Sequence, residues 1–279
     1  MDREQANAIA AAREHNRRAW DALVARQQRF TTPARDADIA QSPTTVAHDT
    51  WLDGGVAGRR LLCLAGGGGR QSAFYATAGA DVTVVDISPQ MLALDRQVAA
   101  ERGLNIRIVE ASMDDLSALG NAAFDIVIQP VSTCYVPDLT RVYREVSRVT
   151  VPGGLYISQH KQPGSLQADV QPSPRGYELV EPYYRGGPLP PVLGSPHREE
   201  GTVEFLHRWE ELIGSLCRAG FVIEDLLEPV HADAKAAVDT FAHRSCYVAP
   251  YVRIKARRSG TATTPHATNG GQARLWMPQ

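Results

Sequence analysis

The stretch "LLCLAGGGGRQS", Leu61–Ser72, decides how this chain is read. An apolar run enters the consecutive glycines Gly66–Gly69, and "ADVTVVD" follows soon after. "RLLCLA" has the length and composition of a strand buried on both faces, and "DVTVVD" is a second such strand. Between them, Arg70–Gly79 has helix length and ends on a glycine. Glycines placed there let backbone approach a ligand closely. A phosphate loop needs Lys and then Ser or Thr after its last glycine, but Arg70 and Gln71 follow Gly69. A dinucleotide fingerprint needs a further glycine where Gln71 or Ser72 stands. Asp86, ending the second strand, suits the ribose hydroxyls of a dinucleotide or of another nucleoside.

Downstream, strands and helices alternate. In "DISPQMLALDRQVAAERG" Ser88 can cap a helix, Pro89 fits its first position and Gly103 stops it. "IRIVEA" and "FDIVIQP" read as the third and fourth strands. "DLTRVYREVSRV" puts Leu139, Val142, Tyr143 and Val146 on one helical face, with Asp138 as cap. "PGG" turns the chain into a fifth strand, "LYISQH". Regularity then stops over residues 161–201, a stretch rich in Pro and Gly that is long enough to be a lid or pocket wall. A helix, "TVEFLHRWEELIGSLCRAG", and two strands, "FVIEDLLEP" and "CYVAPYVRIKA", follow. The pattern predicts an α/β fold: a mostly parallel seven-stranded sheet with right-handed crossovers. Ligands in such sheets lie outside the carboxyl ends of the strands, where Gly66–Gly69, Asp86, Ser112 and Gln129 fall. Before the sheet, Ile9, Ala12, Trp20, Leu23 and Val24 recur at helical spacing, and a polar connection follows over Thr31–Ser42. The expected organisation is a helical cap over residues 1–50, a sheet domain over 51–258 with 161–201 as its insertion, and a loose tail over 259–279.

The 279 residues carry a net charge of −2 with no long basic block, so no nucleic-acid partner is expected. The N-terminus lacks the apolar core of a signal peptide, and no apolar run has membrane-spanning length. Cys63, Cys134, Cys217 and Cys246 form no CxxC pair, which fits a reducing cytosol without a zinc or disulfide framework. His15, His48, His197, His231, His243 and His266 show no ligand spacing, so no metal is expected. Oligomeric state is open.

In the order and spacing of its motifs, Arg59–His160 resembles the class I S-adenosylmethionine-dependent methyltransferases. The glycine turn, Asp86 in "VVDISPQML", the polar turn "EASMDDL" and "FDIVIQPVSTCYVPD" leading to "VPGGLYIS" match four family motifs in register. "EFLHRWEELIGSLCRAGFVIEDLLEP" is similar to the end of small-molecule members. The resemblance implies a Rossmann-like sheet with helices on both faces and S-adenosylmethionine as cofactor. It implies that Ala65, Gly66, Gly67 and Gly68 approach the methionine and ribose portions and that Asp86 takes the ribose hydroxyls. Ile87 and Met91 would pack on the adenine, with Ser112, Met113 and Asp114 beside it. Gln129, Pro130 and Val131 would lie near the methionine end. Two positions depart from the family: Cys63 stands where an acid is usual, and Ala65 where a glycine is usual. Gln129 or Gln71 is the candidate to replace the acid, and Asp114 to assist Ser112.

Methyl transfer is an in-line displacement at a sulfonium, so the enzyme mainly positions donor and acceptor. A base is needed only where the nucleophile must lose a proton. His160, ending strand five, and His207, near the start of the late helix, are candidates for base or anchor. Each also reads as an ordinary hydrogen-bonded histidine. Tyr135 could line the methyl path. Trp20, Tyr75, Tyr183, Tyr184 and Trp209 could form an aromatic acceptor pocket or pack in the core. The expected reaction is methyl transfer to a small aromatic or hydrophobic metabolite at oxygen, nitrogen or electron-rich carbon. A nicotinamide-dependent oxidoreductase and a non-catalytic nucleoside-binding module are the other classes.

Overall fold

The computed structural model describes residues 3–28, 30–35, 50–52, 54–195 and 197–260. Its elements are α1 (Arg3–Ala25), β1 (Arg60–Leu64), α2 (Gln71–Thr77), β2 (Asp81–Asp86), α3 (Pro89–Arg102), β3 (Ile106–Glu110) and β4 (Phe124–Gln129). They continue with α4 (Leu139–Val149), β5 (Thr150–Lys161), α5 (Pro163–Gln167), α6 (Ser215–Arg218), β6 (Phe221–Leu227), α7 (Phe241–Arg244) and β7 (Tyr251–Arg258). The seven strands form one sheet in the order β3-β2-β1-β4-β5-β7-β6. β1 to β5 run parallel, and β7 pairs antiparallel with β5 and β6. The expected α/β architecture, Rossmann-like and mostly parallel, is therefore present.

Strand alternation sorts the side chains. Leu62 and Leu64 of β1 join Val127, Tyr156 and Ile254 in a core covered by Leu139, Val142, Tyr143 and Val146 of α4. Leu61 and Cys63 face the other way, into a core with Val82, Val84, Ile128, Ile157, Tyr75 and Leu92. Both faces of the central strands are thus dry, which is why they read as continuous apolar runs. The local helix signals hold: the Ser88 side chain accepts from Met91 N, Gly103 takes the left-handed conformation at φ 62°, and Asp138 accepts from Thr140 N.

Three expectations change. The late helix does not start at Thr202. Residues 202–208 run irregularly, pinned by Phe205 N donating to Cys134 O at 2.7 Å, and a π turn over Glu210–Gly214 leads into α6. Tertiary pairing with the loop after β4 overrides the apolar periodicity there. β5 begins at Thr150 and includes the "PGG" that was read as its preceding turn. The last strand begins at Tyr251, because the chain turns after α7, with Cys246 N donating to His243 O and Tyr247 N and Val248 N to Arg244 O. Most of the Thr31–Ser42 connection, and all of the tail beyond residue 260, lie outside the described residues.

Strand order reverses between β1 and β4. Their carboxyl ends diverge there and open a crevice. α1 lies across it. Arg13 Nε donates to Asp114 Oδ1 at 2.9 Å, and Asn16 Nδ2 donates to Tyr135 O at 2.9 Å. Asp21 accepts from Ser88 Oγ at 2.6 Å, at the start of α3.

Candidate active site

The glycine turn leaves β1 through left-handed backbone. Ala65 takes φ 47°, followed by Gly68 at 107° and Gly69 at 68°. An alanine at such an angle costs roughly 1 kcal/mol, which a glycine there would avoid. The turn is held from an unexpected quarter. Asp95 of α3, fully buried, accepts from Gly68 N at 2.9 Å and from the Ser72 hydroxyl. Burial raises its carboxyl to about 6 against the lowering effect of Ser72 and of the Gly68 and Gly69 amides. Asp95 therefore fixes the turn, a task expected of Gln129 or Gln71 once Cys63 had replaced the usual acid. Cys63 packs into the core, with its thiol pushed up by burial.

Asp86 ends β2 beside this turn. Its Oδ2 accepts from Gly67 N at 3.0 Å and its Oδ1 from Ser88 N at 2.9 Å. Burial raises its carboxyl above the ordinary range, while these amides oppose the rise. A Cβ on Gly67 would lie 2.9 Å from both Asp86 Oδ2 and Met91 Cβ, so only glycine fits without displacement.

A cavity of about 310 Å³ opens at this point, a volume that suits small-molecule sites. One wall is Ala65, Gly66, Gly67, Gln71, Asp86, Ile87, Met91, Ser112 and Met113; Pro130 and Val131 continue it. All were expected at the site. Gln71 Oε1 is buried with no hydrogen-bond partner among the described residues, an acceptor suited to a ligand cation or N–H. Trp20, Tyr135, Tyr251, Gln159 and Glu199 also line the cavity. The Trp20 and Tyr135 rings meet edge to face at 5.6 Å.

Other expected residues are placed elsewhere. Gln129 is fully buried and turned into the sheet, where its amide donates to Ser132 Oγ at 2.9 Å and accepts from Tyr156 Oη at 2.7 Å. Asp114 is spent on Arg13 and the Ser112 hydroxyl. Gly68 serves the turn and does not line the cavity. His160, fully buried, sits between Thr133 Oγ1 at 2.8 Å and Ser158 Oγ at 2.7 Å. Burial and the neighbouring His207 push its pKa down to about 3, so it is a neutral member of a hydroxyl chain. His207 donates through Nε2 to Thr133 O at 3.1 Å and Val136 O at 2.9 Å, and burial lowers its pKa. It ties the segment over 202–208 to the loop after β4 and lines no part of the cavity. Tyr75 is fully buried on the far face of the sheet. Tyr183, Tyr184 and Trp209 cluster away from the cavity: Trp209 N donates to Tyr183 Oη at 3.2 Å, and Tyr184 lies under Arg208.

Sequence reasoning missed Arg13, Asn16, Glu199, Gln159, Tyr251 and Asp95. The sequence does carry one weak signal for the first two. Polar residues at Arg13 and Asn16 interrupt the helical face that Trp20 and Ile9 mark as apolar. Glu199 follows no periodicity, because the stretch around it is irregular. No group of three or more metal-ligating side chains occurs among the described residues, and no described helix is long and apolar enough to cross a membrane.

Known proteins match this arrangement. The family described as "Methyltransferase domain" matches residues 62–158, from β1 into β5. The "Uncharacterized methyltransferase YbaJ" of Bacillus subtilis (strain 168) is 34% identical over 236 residues, 80% of this chain and 91% of that protein. "Ubiquinone biosynthesis O-methyltransferase" of Xanthomonas oryzae pv. oryzae (strain PXO99A) is 33% identical over 129 residues, covering 44% of this chain and 54% of that protein. Among solved structures, an S-adenosylmethionine-dependent methyltransferase from Mesorhizobium loti superposes with a TM-score of 0.60 at 25% identity, covering 73% of this chain and 92% of that one.

Proposed function

The chain belongs to the class I S-adenosylmethionine-dependent methyltransferases, and on that premise we propose that it methylates a small, partly apolar metabolite held beneath α1. The observation that carries the reading is the single cavity, lined by the motif residues together with Trp20, Tyr135 and Tyr251. Family membership displaces the nicotinamide-dependent and binding-only alternatives.

S-adenosylmethionine, when bound, supplies an electrophilic methyl group on a sulfonium. The residues present fit it. Asp86 offers a carboxylate for two hydroxyls, and Gly66 and Gly67 allow backbone contact without a Cβ. Ile87 and Met91 supply an apolar face for a purine, next to Ser112 and Met113. Gln71 Oε1, a buried acceptor with no partner among the described residues, suits the ammonium of an amino-acid end. Pro130 and Val131 extend this apolar lining. Trp20, Tyr135 and Tyr251 exclude water and hold an apolar body, so positioning is the protein's main contribution. Tyr135 lines the cavity as expected, but its hydroxyl is engaged by Glu199 at 2.6 Å. His160 and His207 support the wall from behind through Thr133.

The test is calorimetric titration with S-adenosylmethionine, on the wild type and on Asp86→Ala. Losing hydrogen bonds to a charged acceptor, worth about 1.5–3 kcal/mol each, should weaken binding at least roughly tenfold. Unchanged affinity in a folded variant removes Asp86 from the donor site.

A further inference from the structure

We propose that Glu199 orients the methyl acceptor by accepting a hydrogen bond from its hydroxyl or amine, so that the acceptor class is neutral or cationic and not a carboxylate or phosphate. The inference rests on the reading that one cavity holds donor and acceptor together.

Glu199 arises from the irregular stretch after β5, yet its carboxylate is rigidly placed. Oε2 accepts from Tyr135 Oη at 2.6 Å and from Lys161 Nζ at 2.8 Å. Both side-chain donors reach Oε2, the Glu199 amide is the carboxylate's remaining donor, and the side chain, 16% exposed, lines the cavity. A carboxylate clamped through one oxygen presents the other as a directed acceptor.

The charges around it support the same assignment. Lys161 is buried and is paired with both Glu199 and Glu204; Glu204, fully buried, also pairs with Arg198. Two cations thus balance two carboxylates, and only Glu199 of these four also borders the active-site cavity. Burial opposes the charge on Glu199, but the Lys161 ammonium and the hydrogen bonds from Lys161 and Tyr135 hold its carboxyl below the ordinary value. These contacts favour the ionised carboxylate, which is suited to accept a hydrogen bond. Arg13 lines the cavity too, but its charge is committed to Asp114. Arg70, the other basic lining residue, stands beside the glycine turn with its guanidinium over Phe74 at 5.5 Å. An anionic acceptor headgroup beside Glu199 Oε1 would meet an acceptor oxygen and no side-chain donor, because Lys161 and Tyr135 are spent on Oε2, whereas an O–H or N–H meets a lone pair.

Binding, not turnover, tests this. The full chain is first titrated with S-adenosylhomocysteine; failure to bind would refute the donor-site reading itself. The saturated protein is then titrated with three matched probes: 2-(aminomethyl)naphthalene, 2-(hydroxymethyl)naphthalene and 2-naphthoate. The amine and the alcohol should bind at least about tenfold tighter than the carboxylate, the size expected of one hydrogen bond to a charged group. Glu199→Gln should bring the amine-to-carboxylate ratio near one, and Tyr135→Phe should reduce it partway by loosening the clamp. A wild-type preference for 2-naphthoate, equal binding of all three, or no binding of any probe to the saturated protein overturns the assignment of Glu199. So does an unchanged ratio in Glu199→Gln. The wild-type ratios decide even if that variant fails to fold, because they need no mutation.

Discussion

The Asp95 buttress makes an unusual demand on the pH dependence of stability. Most carboxylates that accept hydrogen bonds in a native state have lowered pKa values and stabilise the fold at neutral pH. Asp95 is fully buried, and desolvation outweighs its donors, raising the carboxyl from 3.8 to about 6. Between those values the native state binds more protons at this site than the unfolded chain. Stability contributed here therefore rises as pH falls, from a penalty present above pH ~6 to relief below the unfolded value. At ~1.4 kcal/mol per pH unit the full relief is on the order of 3 kcal/mol, of which roughly 1 kcal/mol is reached on going from pH 7 to pH 5. Asp95→Ala lacks this proton. It also leaves the Gly68 amide and the Ser72 hydroxyl without their acceptor, at about 1–3 kcal/mol for each buried group. The substitution also removes the penalty of the ionised carboxylate at pH 7, so the firm expectation is the difference: relative to the wild type, the variant should lose ~1 kcal/mol of stability on going from pH 7 to pH 5. Urea unfolding followed by circular dichroism at both pH values measures the double difference, in which contributions common to both proteins cancel. A difference that stays flat or moves in the variant's favour on acidification would show that Asp95 is an ordinary lowered carboxylate and that the turn is held some other way.

Two further outcomes follow from the histidines. His160 is held at about 3 by burial, below the ordinary 6.5, so the unfolded chain binds the extra proton and stability falls as pH drops below ~6.5. His160→Asn should flatten that acid limb by roughly 2 kcal/mol between pH 7 and pH 5, read by the same denaturant titrations; an unchanged limb refutes the assignment. His207→Ala should cost about 1–3 kcal/mol of stability and lower turnover by loosening the loop after β4, while the pH–rate profile keeps both limbs. His207→Gln, which retains a donor, should recover part of both losses, whereas loss of one limb in either variant would restore His207 as a base.

The sequence by itself determined the sheet, because each of its central strands is buried on both faces and must be written as an apolar run. Leu61–Leu64 and Val82–Val85 admit little else. It determined the helix ends at Ser88, Gly103 and Asp138 for a similarly local reason, since caps act within a turn of backbone. It also picked out much of the cavity lining, from Ala65 to Val131, whose residues lie on strand ends and first turns that the register fixes.

Only the tertiary structure brought the remaining lining residues together. Trp20, Tyr135, Glu199, Gln159 and Tyr251 come from five separate segments, and nothing local in any of them records the others. The aromatic residues illustrate the limit. Trp20 reaches the cavity because Asn16 and Asp21 pin α1 across the crevice, whereas Tyr75 packs under the sheet and Tyr184 lies on the surface. Side-chain chemistry was the same in each case, and position was not. The helix expected from Thr202 failed for a related reason: its apolar spacing was real, but the backbone over 202–208 pairs with Cys134 and Leu189, a long-range contact that no local pattern specifies. Asp95 is the converse case. It sits inside a well-predicted helix, and its task became visible only when α3 packed beside the glycine turn and placed a buried carboxylate under two amides and a hydroxyl.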